Sequence, residues 1–102
     1  MTNEDRIRGY LGLSARGRNV ESGEFSTEKA VKSGRAYLVL IAGDASENTK
    51  KKFQNMCEHY QVPCHIFGDR EMLGCTIGRD FRASLAVTDR KLAEAVRALI
   101  TE

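Results

Sequence analysis

The sequence predicts an α/β protein, a three-layer α/β/α sandwich around a four-stranded mixed sheet. First, Tyr37 to Ala42 is a continuous apolar run, rich in branched residues and closed by Gly43, the pattern of a strand covered on both faces. Second, helical spacing of apolar residues alternates with short extended segments, and right-handed crossovers then place helices on both sides of the sheet. Third, 102 residues leave room for one core and one domain, residues 1–102.

The opening helix is expected from about Glu4 to Ala15, capped by Thr2 or Asn3, with Ile7, Tyr10 and Leu11 on one face. Gly9 and Gly12 weaken a helix interior by about 1 kcal/mol each, so they predict close packing against a neighbour, or a bend. A short strand follows at Asn19 to Ser22, then a turn at Gly23. Ser26 is read as the N-cap of a helix reaching Ser33, with Gly34 as the left-handed stop. After the central strand, Phe53, Met56, Cys57 and Tyr60 give the apolar face of a helix from Ser46 to Tyr60. Pro63 breaks the chain before a strand at Cys64 to Phe67, and Asp69 caps a brief helix ending near Gly74. The last strand, Ser84 to Thr88, precedes a helix from Asp89 to Ile100 with Leu92, Ala95, Val96 and Leu99 at helical spacing.

With 41% hydrophobic and 29% charged residues, the composition is that of a folded globular chain. The longest apolar run falls far short of the ~20 residues of a membrane span, and no basic-then-apolar signal segment opens the chain, so a cytoplasmic protein without a membrane partner is expected. Three cysteines, Cys57, Cys64 and Cys75, are an odd number without close pairing, which predicts reduced thiols. Sixteen Lys and Arg against fourteen Asp and Glu leave a net charge of only +2. That balance does not by itself establish nucleic-acid binding.

Two segments carry candidate chemistry. Gly23 to Lys29 lies where a strand hands over to a helix, so the first backbone N–H groups are placed to hold a phosphate, with Lys29 and Lys32 close behind. On spacing alone, a capped surface helix with solvated lysines is the commoner outcome. The second segment, Gly78-Arg79-Asp80-Phe81-Arg82, puts an aromatic ring between two arginines, which suits unpaired bases and their phosphates. The alternative is that Phe81 folds inward as a core anchor, and this segment leaves the two evenly matched.

Other clusters are weaker. Cys57, His59, Cys64, His65 and Cys75 are zinc-binding types without ligand spacing, so no metal is expected. Asp44, after the central strand, fits the turn and cap of the next helix better than a nucleophile or a metal ligand. The glycines near Gly74 and Gly78 form no phosphate-binding fingerprint, and Ser46, His59 and Asp44 have no elbow motif that would make a triad.

Taken in order, Leu11-Gly12-Leu13, Ser22-Gly23-Glu24, Lys29, Ala36 to Ala42, Asp44-Ala45-Ser46, Asn48-Thr49, Val62-Pro63, Leu73-Gly74 and Ile77-Gly78 span nearly the whole chain. In this pattern the chain resembles the kink-turn-binding ribosomal protein family of large-subunit proteins seven-Ae and thirty-e, and especially its small bacterial YlxQ-type members. The resemblance implies an α/β/α sandwich that binds kinked RNA without catalysis, needs no cofactor and acts as a monomer. Its RNA edge would be the glycine turn with its helix, namely Gly23, Glu24, Phe25, Ser26, Lys29 and Lys32, together with the loop residues Arg79, Phe81 and Arg82. Arg16 and Arg18 would add phosphate contacts. Lys29 matches the lysine closing the family's G-x-N-E-x-x-K motif, and Phe81 matches an RNA-contacting aromatic of the thirty-e branch. The motif's Asn and Glu, which read sheared G·A pairs, are replaced by Phe25 and Ser26, so contacts to phosphate are expected to outweigh base readout. The ligand would be structured RNA, ribosomal or regulatory, with ribosomal or transcription-associated proteins as further partners. The alternative is a protein-interaction module of the ribosome or of the transcription and translation machinery, without direct RNA readout.

Overall fold

In β2 (Leu38–Ile41) every side chain is buried, and because successive residues of a strand face opposite sides, both faces of the sheet are covered there. The computed structural model describes residues 1–101. Its further elements are α1 (Asn3–Arg16), β1 (Val20–Ser22), α2 (Glu24–Lys32), α3 (Glu47–Tyr60), β3 (Cys64–Ile66), α4 (Arg70–Thr76), β4 (Ser84–Val87) and α5 (Arg90–Ile100). The strands run β1-β4-β2-β3 across one sheet, with β4 antiparallel to both β1 and β2 and β3 parallel to β2. Helices α2 and α3 pack together on one face, while α1 packs on α4 and α5 on the other, giving the expected three layers and mixed four-stranded sheet. Phe53, Leu11, Leu38, Leu40, Leu73 and Leu85 are among the largest fully buried side chains.

Local chemistry accounts for most of the boundaries. Thr2 caps α1 through a reciprocal capping box with Asp5, whose N–H donates to Thr2 Oγ1 at 3.1 Å. Ser46, Asp69 and Asp89 cap α3, α4 and α5 by accepting the N–H of Thr49, Met72 and Leu92.

Several expectations are corrected. Ser26 does not cap α2: Gly23 occupies the N-cap at φ +89°, so the helix begins at Glu24 and Ser26 sits in its first turn. The Gly23 N–H donates to Ser84 O at 3.0 Å, and this bond to β4 sets the helix start three residues early. Asp44 does not cap α3 either. Its Oδ1 accepts the N–H of Arg70, the first residue of α4, at 2.9 Å, and this bond and the Arg70 guanidinium hold its carboxyl below the usual carboxylate range. Tyr37 lies outside β2 and is partly exposed, with Arg90 stacked 5.7 Å from its ring centre. Tyr60, expected on the apolar face of α3, is exposed at the helix end. Gly9 meets no neighbour within 4 Å, whereas a Cβ on Gly12 would lie 3.8 Å from the Thr76 carbonyl of α4, and α1 runs unbroken through both glycines. The three cysteines are free thiols, as expected, with Cys57 on α3 and Cys64 on β3 near each other. Hydrogen bonding to Cys64, with burial, pushes the Cys57 thiol far up, and the same bond lowers that of Cys64.

Candidate nucleic-acid interface

The turn at Gly23 opens α2 with a residue that has no side chain to cap it, which leaves the first N–H groups of the helix, on Glu24, Phe25 and Ser26, facing outward. Only glycine tolerates this φ at little cost, so the exposed helix start follows from the residue choice at position 23. Beneath it, the Ser84 hydroxyl donates to Thr27 Oγ1 at 3.3 Å in the core and ties α2 to β4.

Phe25 is 78% exposed at this helix start, an apolar ring with no core role. Lys29 follows one turn later, is exposed, and has no carboxylate within 4.0 Å among the described residues. Lys32 differs from expectation: it pairs with Glu28 at 2.8 Å, and Glu28 also meets Lys52 at 2.8 Å. The Lys32 and Lys52 hydrogen bonds pull the half-buried Glu28 carboxyl from 4.5 down to about 2, and Glu28 raises both lysines. Glu24 is engaged as well, with Lys52 at 3.3 Å, so its contribution to an anion site lies in its backbone N–H.

The second segment lies in the loop between α4 and β4. Phe81 is 65% exposed, which removes the alternative that it anchors the core. Arg82 is braced: its Nε donates to Ser22 Oγ at 3.1 Å and its Nη1 to the Phe81 carbonyl at 2.9 Å. Ser22, on β1, therefore orients a cation sixty positions further along the chain, and only the fold brings the two together. Arg79 is exposed, at the turn that Gly78 makes at φ +74°.

These two segments meet. A crevice of about 320 Å³ along the free edge of β1 is lined by Ser22 and Ser26 on one side, Arg79, Arg82 and Ile77 on the other, and Ala15 from the end of α1. Arg16 borders the adjoining hollow beside Ile77 and Gly78. Arg18 stands exposed in the turn before β1, in a left-handed conformation at φ +61°. Arg16, Arg18, Lys29, Arg79 and Arg82 all lack a carboxylate within 4.0 Å among the described residues. Among those residues no group of three or more His, Cys, Asp or Glu gathers to hold a metal, and no helix is long and apolar enough to cross a membrane.

The fold is thus an α/β/α sandwich in which the uncapped start of α2 and, from the α4–β4 loop, the exposed Arg79 and half-buried Arg82 border one crevice. The chain belongs to the ribosomal protein L7Ae/L30e/S12e/Gadd45 family, whose model it matches over residues 5–96. It is 42% identical over 90 residues to the RNA-binding protein YlxQ of Bacillus subtilis (strain 168), covering 88% of this chain and 90% of that one. The large ribosomal subunit protein eL30 of Yarrowia lipolytica is 34% identical over 85 residues, 82% of this chain and 77% of its own. A solved structure from Bacillus halodurans, of a protein of unknown function, superposes with a TM-score of 0.91 at 40% identity, covering 94% of this chain and 97% of that one.

Proposed function

We propose that this protein binds structured RNA with a kinked backbone, ribosomal or regulatory, as a non-catalytic cytoplasmic monomer in which residues 1–102 form one RNA-binding domain. One observation carries the reading: the start of α2 and the α4–β4 loop, far apart in sequence, share the walls of one crevice lined by Arg79, Arg82, Ser22 and Ser26. In this reading the N–H groups of Glu24, Phe25 and Ser26 face one phosphate, as anions favour a helix start. Lys29, Arg79 and Arg82 neutralise others, Arg16 and Arg18 extend the track, and Phe25 and Phe81 offer faces for unpaired bases. Lys32 contributes less than its position in the sequence promises, because Glu28 holds its charge.

The relatives, an RNA-binding protein and a ribosomal protein, support RNA as the ligand and ribosomal proteins as further partners. The chemistry of the crevice supports binding without catalysis. Glu21, the carboxylate lining it, already pairs with Arg35 at 3.6 Å, so no free acid-base couple faces a ligand there among the described residues. With Phe25 and Ser26 in place of a base-reading Asn and Glu, recognition rests chiefly on backbone and shape.

Titration against a kinked RNA duplex carrying tandem G·A pairs, the same RNA with those pairs replaced, and a plain RNA duplex tests this. Preference for both kinked forms over the plain duplex, with affinity falling steeply in salt, is the expected result. Equal affinity for all three at physiological salt would refute kink recognition and favour a protein-docking role for the same loops.

A further inference from the structure

The segment Gly78 to Arg82 has no helix or strand of its own, yet its backbone is held at several points. The Arg79 N–H donates to Gly74 O at 2.8 Å, the Gly78 N–H to Cys75 O at 3.1 Å, and the Arg82 N–H to Arg70 O at 3.0 Å. Between these bonds the chain crosses directly over α4. A Cβ placed on Gly74 would stand 1.2 Å from the carbonyl oxygen of Asp80 and 2.4 Å from its carbon. Gly74 is buried and lies inside a helix, where glycine is disfavoured, and its φ is not in the left-handed region. The residue is there for space rather than for conformational freedom: any side chain would force the loop backbone outward by roughly 2 Å, from 1.2 Å to the contact distance of about 3 Å.

The anchor at Arg70 is itself held. Its N–H donates to Asp44 Oδ1 at 2.9 Å, and its Nε lies 3.4 Å from Asp44 Oδ2. Asp44 stands just beyond β2, so the rigid centre of the sheet fixes the first residue of α4. Arg70 in turn, through its carbonyl, fixes the point where the loop re-enters β4.

We propose that Gly74 and Asp44 are positioning residues for RNA recognition. Gly74 sets how closely the loop approaches α4, and Asp44, acting through Arg70, sets where the loop ends. Together they place Arg79, Phe81 and Arg82 at the crevice before RNA arrives. This inference rests on the RNA-binding reading of the loop. A binding group must be held to within about 0.5 Å of its productive geometry, so a displacement of roughly 2 Å is enough to separate the ring and the guanidinium groups from their contacts.

The test uses the full chain with two probes, the kinked RNA duplex with tandem G·A pairs and the plain RNA duplex. Gly74→Ala is expected to weaken kinked-RNA binding by at least about tenfold, since a shift of roughly 2 Å exceeds the ~0.5 Å tolerance of a binding group. The deciding readout is coupling. In a background already carrying Phe81→Ala and Arg82→Ala the Gly74→Ala effect should largely vanish, whereas added to Lys29→Ala it should persist in full, since coupled residues depart from additivity and independent ones do not. A merely structural role would lower the melting temperature without that selectivity. Asp44→Ala should also weaken binding, and Asp44→Asn, which keeps an oxygen to accept the Arg70 N–H, should restore most of it. This pair decides the matter if Gly74→Ala fails to fold. Wild-type affinity in both Gly74→Ala and Asp44→Ala, or strict additivity with the loop substitutions, overturns the positioning role alone. Failure of the wild-type protein to bind either RNA overturns it together with the RNA-binding reading.

Discussion

Phe81→Ala separates the two roles an aromatic residue plays in a small protein. A fully buried phenylalanine costs about 3–5 kcal/mol of folding stability when cut to alanine, through lost transfer energy and the cavity left behind. Phe81 is 65% exposed, so only about a third of that payload is at stake and the expected loss is about 1 kcal/mol. If the ring stacks on a base, binding should fall by about 1–3 kcal/mol. That corresponds to roughly fivefold to 150-fold in Kd. The ring neutralises no phosphate, so the slope of log Kd against log salt should stay unchanged while the affinity drops. Anisotropy titrations of labelled kinked RNA at several salt concentrations, beside urea unfolding of both proteins, measure all three quantities. Undiminished affinity, or a stability loss above about 3 kcal/mol, would refute the assignment of this ring to RNA.

Lys29→Ala should lower the salt slope by about one, while Lys32→Ala should change it little, because Lys32 is already paired with Glu28. Glu28→Gln should destabilise the protein at neutral pH. The folded-state carboxyl is depressed from 4.5 to about 2, so its stabilisation is present above 4.5 and disappears as the pH falls through that window; melting temperatures of wild type and variant should converge by about pH 2. The double change Phe25→Asn with Ser26→Glu should sharpen discrimination for G·A pairs by about 1–3 kcal/mol, measured by titration against RNA with and without those pairs. Because Gly23 and not Ser26 caps α2, no loss of helix stability should accompany it, and circular dichroism melts check this.

What the sequence made legible was local. The Tyr37 to Ala42 run announced a doubly covered strand, which Leu38–Ile41 forms, and Ser46, Asp69 and Asp89 announced three helix starts through their own hydroxyl or carboxylate oxygens. The start of α2 was harder, because Gly23 read as a turn and Ser26 as the cap. The helix instead starts after Gly23, whose N–H donates to Ser84 O, a contact across sixty-one positions that no local pattern encodes. The same applies at the crevice. Arg79, Phe81 and Arg82 stood out as a group, yet Ser22, which orients Arg82, and Asp44, which holds Arg70, act through partners visible only once the sheet has formed. Gly74 showed itself only as half of a Leu-Gly pair near the end of a brief helix. Its purpose, to let the Asp80 carbonyl lie against the helix, appears when the loop is seen crossing over it.

The small net charge is resolved by the same long-range arrangement. With sixteen cations against fourteen anions, the chain has little surplus to offer a polyanion. Five of the acidic groups, however, are held by cations within 4.0 Å: Glu28 and Glu24 by Lys32 and Lys52, Glu47 by Lys50, Glu21 by Arg35, and Asp44 by Arg70. Arg79 and Arg82 in the crevice and Arg16 beside it have no such partner among the described residues, nor do Arg18 and Lys29. Attraction of a phosphate within a Debye length, about 8 Å at physiological salt, depends on the charges near that edge rather than on the total. Local pairing therefore allows a nearly neutral protein to keep a cationic face. It follows that reversing one of the compensating acids, as in Glu24→Lys, should raise affinity for both kinked and plain RNA and steepen the salt dependence. An unchanged slope in that variant would mean that the field at the α2 start does not reach the bound RNA.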